Sequence, residues 1–467
     1  MSETHDIVVL GSGTTAFAGA LQAAGEGARV LMVEQSQLGG TCVNWGCIPS
    51  KTLIDKAGDY FAARRGPSFG LALEAAPPDF NRLMEVKRQA VTVLRREHYQ
   101  DVLDNEPNID VLRGHGRFIS SKEMRVGAQT LTAPHFLIAC GGYPRILDIP
   151  GLNKIDYLTS FSAMHLPYFP ESLLLIGGGV IALEMGQMFS RFGTRVTILE
   201  RSESLLKEFD KRLTDRFVEI LADENIELLF EVETQRVFKD GSEVVLETLV
   251  AGQERILRAE RLMLAVGTAP ATEDIGLQKA GVEIDPTGFI KTDRHMRTTS
   301  PGIWAAGDVT GPPLIAPAGA REAEVAVRNM LRPEVAAQVD HRQTPMGIFV
   351  DPEFATVGIT AAEARKQGIK VVETWTDLHE VAKSHVMGRR KGGIVLCAEQ
   401  ETGRVLGLQM LAPRAADIIH EGTLAVRFGL TVHDLAETIH VYPTISDGLR
   451  LAAQQNIRQQ KRLLAER

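Results

Sequence analysis

The sequence predicts an α/β protein in which one strand–turn–helix–strand unit is used twice, followed by a third region of different character. Three observations predict it. A buried-type apolar run at residues 6–10 ends in a glycine-rich turn, a second run at 173–176 ends in the same way, and no such motif recurs after about residue 341. The chain's 467 residues are also too many for a single core, so two to four domains are expected.

Composition excludes several classes. Hydrophobic residues make up 44% and charged residues 24%, as in ordinary globular proteins. A net charge of −8 without a long basic run argues against nucleic acid or an anionic membrane as partner. No apolar run reaches the roughly 20 residues of a membrane span. The start, Met1 through Asp6 into Ile7-Val8-Val9-Leu10, carries no secretory signal pattern. With only four cysteines (Cys42, Cys47, Cys140 and Cys397), a reducing cytoplasmic setting is expected.

The first unit reads Gly11-Ser12-Gly13-Thr14-Thr15-Ala16, an alanine-rich helix to Ala24, and a strand from Arg29 to Val33 ending at Glu34. This is the dinucleotide fingerprint of a Rossmann-like βαβ unit. Gly11 permits the tight turn, Gly13 lets backbone approach a pyrophosphate, and Ala16 allows close helix–strand packing. Free N–H groups at the helix start favour the phosphates. Glu34, 23 residues after Gly11, is placed for ribose hydroxyls. The second unit repeats this with Gly177-Gly178-Gly179-Val180-Ile181-Ala182 and Glu200, again 23 residues after its first glycine. One glycine motif is a weak signal, but two in full register imply two dinucleotides, such as FAD and NAD(P). Three further short apolar runs end in Cys140-Gly141-Gly142, Gly267-Thr268-Ala269-Pro270 and Gly307-Asp308; each fits a strand that turns sharply beside a ligand, although any one alone reads as an ordinary strand-ending turn.

Residues 39–51 read Gly-Gly-Thr-Cys-Val-Asn-Trp-Gly-Cys-Ile-Pro-Ser-Lys. If a helix begins here, one turn separates Cys42 from Cys47 and a disulfide is sterically possible. A helix N-terminus and Lys51 both favour a thiolate. With no histidine or third cysteine in the segment, a resident metal site lacks ligands.

This segment resembles the redox signature of the class I pyridine nucleotide–disulfide oxidoreductases, which include dihydrolipoyl dehydrogenase, glutathione reductase and mercuric reductase. The similarity covers essentially the whole chain, with the motifs in order. It implies an FAD-binding domain from residues 1–145 and 269–340, an NAD(P)-binding domain at 146–268, and a C-terminal α+β dimerisation domain at 341–467 that completes the active site of the partner in a homodimer. By the same resemblance, Cys47 lies against the flavin as the charge-transfer thiolate and Cys42 is the interchange thiol. Lys51 sits near the flavin ring paired with Glu184, and Asp308 binds the flavin side of FAD. Gly40, Thr41, Gly142 and Gly267 are carried over as cofactor-binding positions.

The C-terminal region departs from the disulfide reductases, which carry a proton-relaying histidine and a glutamate that orients it. The sequence here is His440-Val441-Tyr442-Pro443-Thr444-Ile445-Ser446-Asp447. In register, Tyr442 takes the place of the base and Asp447 that of the glutamate, while His440 is out of place. A phenol with a pKa of about 10 is a poor base at neutral pH. Mercuric reductase also resembles this chain in having tyrosine there, and Tyr99 falls where that enzyme carries a second active-site tyrosine. The tail, Arg462-Leu463-Leu464-Ala465-Glu466-Arg467, lacks the vicinal cysteines of mercuric reductases.

Three functions compete. The first is a mercuric-reductase-like enzyme in which Cys42 and Cys47 transiently bind a soft metal ion, such as Hg(II), as substrate. The second is a dihydrolipoyl-dehydrogenase-like oxidoreductase acting on a disulfide, including a lipoyl group on a carrier protein. The third, remote reading is a non-enzymatic flavoprotein subunit. Glu200 favours NADH by repelling a 2′-phosphate, whereas Arg201 and Lys207 fall where NADPH-using relatives place basic residues.

Overall fold

The computed structural model describes residues 5–465; Met1–Thr4 and Glu466–Arg467, parts of two stretches read above, lie outside the described residues. Ile7–Leu10 is buried along its whole length, as a strand covered on both faces must be. It is the middle of a five-stranded sheet in the order Ile303–Ala305, His135–Ile138, Ile7–Leu10, Val30–Glu34, Ile109–Arg113, with every pairing parallel. The alanine-rich stretch forms the helix Thr14–Gly25, and its small residues Ala16, Ala20 and Ala23 are buried against Ala323 and Val327 of the helix Ala316–Leu331.

The second unit repeats the plan in a four-stranded parallel sheet, ordered Glu227–Leu229, Arg195–Leu199, Ser172–Ile176, Arg261–Leu264, with a three-stranded antiparallel sheet beside it. The chain enters and leaves this unit side by side, because Gly142–Pro144 pairs antiparallel with Thr268–Pro270. The return segment then supplies the edge strand Ile303–Ala305 of the first sheet, so the first unit is built from two separate stretches of chain.

After residue 341 the pattern changes to an antiparallel five-stranded sheet, ordered Met346–Ile348, Glu353–Gly358, Val405–Ala412, Gly393–Glu399, Val371–Asp377. The helices Ala415–Phe428 and Asp447–Ala465 cover it, burying Ile419, Ala425, Leu449 and Ala452 in a shared core. Beside that core, the apolar side chains of Ile439, Val441 and Tyr442 stand exposed. No helix among the described residues is long and apolar enough to cross a membrane.

The twin glycine turns fold for the same steric reason. Gly11 has φ +117° and Gly177 φ +110°, and a Cβ on either would lie 2.4 Å from the carbonyl oxygen of Ala139 or Ala265 on the neighbouring strand. Gly179, by contrast, has open space where a Cβ would go and an ordinary φ of −82°. Two outcomes are expected. Gly177→Ala should lower unfolding free energy in a denaturant titration by about 1–3 kcal/mol. Gly179→Ala should leave that titration unchanged while weakening nucleotide binding, measured by calorimetry, because only a bound ligand needs its space.

Candidate active site

The redox segment is not one helix. Cys42 belongs to the short helix Gly40–Asn44, and Cys47 is the first residue of the helix Cys47–Arg65. The single-helix expectation is therefore corrected. The Thr41 carbonyl accepts from the N–H of both Trp45 (2.9 Å) and Gly46 (2.7 Å), which closes the first helix. Gly46, at φ −111° and ψ −102°, then leaves helical geometry before the second begins. Pro49 is tolerated in the opening turn because its missing N–H has no intrahelical acceptor there.

The break still leaves the two free thiols in hydrogen-bond contact, and it makes them unlike. The Cys42 thiol donates to the Cys47 sulfur. That bond holds the Cys42 proton in place, and burial pushes its pKa up further. The same bond is the main cause lowering the Cys47 thiol to about 7; burial opposes it, and the nearby Lys51 ammonium supports it. The pair is thus poised as a thiol beside a thiolate.

Lys51 lies one turn after Cys47. Its Nζ is 2.6 Å from Glu184 Oε2 on the helix Val180–Arg191 of the second unit. The Glu184 side chain is only 4% exposed, and its other oxygen accepts from the Phe349 backbone N–H at 2.9 Å. The Phe349 ring itself sits 5.1 Å from the Lys51 ammonium. Phe349 escaped sequence reasoning because the contact joins residues 165 apart and involves its backbone.

A cleft of about 990 Å³ runs from Leu10, Gly11, Gly13 and Glu34 past Gly142 and Asp308 to Gly40, Thr41, Cys42, Cys47, Lys51 and Glu184. At its far end, Glu34 accepts from the Ser12 hydroxyl (2.6 Å) and the Ser36 N–H (2.5 Å), which aims its carboxylate. Burial, with Glu322 nearby, pushes the Asp308 carboxyl up. These residues fit FAD: a fixed carboxylate for ribose, helix N–H groups and close-approaching glycines for pyrophosphate, and a thiolate with a cation at the opposite end. Trp45 and Phe161 stack with ring centroids 6.2 Å apart on the cleft wall, and His420 also lines it. None of these three received a role from sequence; Trp45 lies in plain view between the cysteines, whereas Phe161 and His420 carry no spacing signal.

The second fingerprint has its own carboxylate. Glu200 accepts from the N–H of Gly178 and of Ser202, both at 2.7 Å, and Arg201 beside it is exposed. Gly177 and Gly179 lie at the start of the helix Val180–Arg191, and Gly267 follows the strand Arg261–Leu264.

The tyrosines are not brought together within the chain. Tyr99 is buried in a π-helical turn, Arg96–Gln100, against Phe17, with its hydroxyl 3.2 Å from Thr14 Oγ1. Burial pushes its pKa up, and it is not on the cleft wall. Tyr442 is 71% exposed. Asp447 is buried, and its carboxylate accepts from Arg450 Nε at 2.7 Å rather than from Tyr442. His440 packs its ring onto Glu421, with 2.9 Å between Nε2 and Oε2.

The thiol pair yields a direct test. In the reduced enzyme, thiolate absorbance should rise with a midpoint below the ordinary thiol range as Cys47 ionises. Cys42→Ala and Lys51→Met should each move that midpoint upward, because each removes a contribution that favours the thiolate. An unmoved midpoint in both variants would contradict this account of the site.

Comparison with known proteins places the whole chain. Residues 5–329 match the pyridine nucleotide–disulphide oxidoreductase family, and residues 344–453 match that family's dimerisation domain. The chain is 37% identical over 450 residues to a mercuric reductase of Staphylococcus aureus, covering 96% of this chain and 82% of that protein. It is 33% identical over 455 residues to a dihydrolipoyl dehydrogenase of Thermus scotoductus, covering 97% of each. Among solved structures it resembles the Cu(II) complex of the HOCl-induced flavoprotein disulfide reductase RclA from Escherichia coli. The TM-score is 0.86 at 27% identity, covering 97% of this chain and 99% of that one. With the dimerisation domain supporting a homodimer and FAD and NAD(P)H as the family's cofactors, the chain belongs to the pyridine nucleotide–disulphide oxidoreductases, which are flavin-dependent enzymes.

Proposed function

We propose that this enzyme reduces a soft metal ion, Hg(II) in the first instance, at Cys42 and Cys47. The observation that carries the reading is an intact thiol–thiolate pair combined with a tyrosine, Tyr442, where a disulfide reductase needs a histidine base. The mercuric reductase relatives support the metal, and the Cu(II) complex of RclA extends the candidates to copper. FAD, when bound, supplies a two-electron carrier between NAD(P)H and the cysteine pair. Cys47 offers its sulfur as the thiolate that meets this carrier. Cys42 keeps its proton until metal binds, then releases it as the second sulfur ligand forms. Lys51 holds negative charge at Cys47, and Glu184 fixes Lys51. The balance is two electrons: NAD(P)H and Hg(II) yield NAD(P)⁺, a proton and Hg(0), and both thiols are regenerated.

In this reading Glu34 and Asp308 hold the two ends of FAD. Gly177, Gly179 and Glu200 hold the nicotinamide nucleotide, with Glu200 against a 2′-phosphate. Tyr442 contributes to the metal site in the homodimer, from the opposite subunit, whereas Tyr99, buried against Phe17 and off the cleft wall, supports the glycine turn through Thr14 instead. In this reading metal reaches Cys42 and Cys47 directly or on a small thiol carrier.

A second reading, reduction of a disulfide such as a lipoyl group, draws support from one contact. His440, two residues from Tyr442, is held by Glu421 and offers an imidazole in the same turn. Steady-state assays separate the two. NADH oxidation dependent on Hg(II) with excess thiol present, and little turnover of lipoamide, is expected; the reverse ranking would favour the disulfide. For the nucleotide, Glu200→Ala should raise kcat/KM for NADPH relative to NADH by about tenfold, the equivalent of about 1.4 kcal/mol of relieved repulsion. An unchanged ratio would remove Glu200 from that role.

A further inference from the structure

The helix Val180–Arg191 carries more than Glu184 on one face. Glu184, Gln187 and Arg191 recur at helical spacing, and all three reach one segment of the C-terminal domain, Phe349–Asp351. Glu184 accepts from the Phe349 N–H at 2.9 Å. Gln187 accepts from the Asp351 N–H at 2.7 Å and donates to the Asp351 carbonyl at 2.9 Å. Arg191 donates to the Asp351 carboxylate at 3.1 Å, and that carboxylate also accepts from Arg389 at 2.6 Å. The register is therefore set at three successive points.

Arg191 is tied on its other sides as well. Its side chain is 5% exposed and forks onto Glu224 through two bonds, 2.9 and 2.7 Å long. The Phe61 ring of the redox helix lies 4.2 Å from its guanidinium. The helix is thus held against the redox helix at both ends, by Lys51–Glu184 and by Phe61–Arg191. A slide of one residue, 1.5 Å along its axis, would displace all of these contacts together.

We infer that Gln187 and Arg191 are positioning residues for electron delivery. They lock the nucleotide-binding helix to Phe349–Asp351 and so hold the nucleotide's phosphate-binding turn, at the start of that helix, in fixed register with the redox helix that carries Cys47. This rests on the reading that the nucleotide binds at Gly177–Gly179 and that electrons reach Cys47. Register matters because misplacement of reacting groups by about 1 Å can cost as much as 100-fold in rate. Neither residue touches the reacting atoms, so nucleotide affinity should change little.

The test uses the oxidised holoenzyme, mixed anaerobically with NADH and no acceptor, in Gln187→Leu and Asp351→Asn. Leucine keeps the volume and removes the amide. Asparagine keeps the backbone bonds to Gln187 and removes the charge facing Arg191. Flavin reduction at saturating NADH should slow by about tenfold in Gln187→Leu, with the dissociation constant for NADH within twofold. Asp351→Asn should slow it by a smaller factor. Amide hydrogen exchange gives a readout independent of turnover. In Gln187→Leu the Phe349 N–H, which bonds to Glu184 and not to residue 187, should lose protection along with Asp351 N–H. If flavin reduction keeps the parent rate, or if only Asp351 loses protection, the contacts are local and the inference is overturned. If Gln187→Leu does not fold, Asp351→Asn decides alone on the same rate criterion. A negative metal screen would leave this result standing, since no acceptor is present; failure of the parent enzyme to reduce its flavin would sink the underlying reading instead.

Discussion

The pair between the half-buried Lys51 and the buried Glu184 is the contact on which the rest of the site depends. It joins three parts of the chain: the redox helix supplies the ammonium, the second nucleotide unit the carboxylate, and the C-terminal domain the Phe349 N–H that satisfies the remaining oxygen. Burying a carboxylate is costly unless charge and hydrogen bonds both compensate. Here each requirement is met from a different part of the chain. Losing the ammonium leaves the carboxylate charge unpaired, and losing the N–H leaves one of its oxygens unsatisfied, so these three parts of the chain must be docked correctly for the site to exist.

The same pair only adjusts the thiols, because Lys51 supports the Cys47 thiolate and Glu184 opposes it, while the bond between the two sulfurs has the larger effect. Two residues of one type, five positions apart, end in opposite states because one donates a hydrogen bond and the other accepts it. Direction is decided by position. Cys47 opens a 19-residue helix and has Lys51 one turn on, both of which favour negative charge. Cys42 lies in the preceding short helix, beyond the break at Trp45 and Gly46.

The two nucleotide units show how one plan diverges through single residues. In the first, a serine at the middle of the turn bonds the carboxylate of Glu34 through its side chain. In the second, the corresponding residue is Gly178, whose backbone N–H makes the bond instead. A Cβ there would lie 2.7 Å from Glu200 Oε2, so the carboxylate comes closer to the turn than a serine would permit. That closeness places a negative charge directly beside the second glycine turn.

By itself the sequence determined what local rules govern. The glycine turns, their strands and helices, and the terminal acids Glu34 and Glu200 follow from periodicity and backbone sterics, which act within about 25 residues. The Cys42–Cys47 pair and the partnership of Lys51 with Glu184 were legible through resemblance to a family with fixed motif order. Other features were decided only by tertiary structure: the break between the cysteines, the Phe349 bond to Glu184, the Gln187–Arg191 ladder to Asp351, the burial of Tyr99 against Phe17, and the capture of Asp447 by Arg450 and His440 by Glu421. The physical reason is that most of these are choices of partner. A carboxylate, amide or imidazole can be satisfied by many groups, and only the packed chain brings one of them within hydrogen-bond reach.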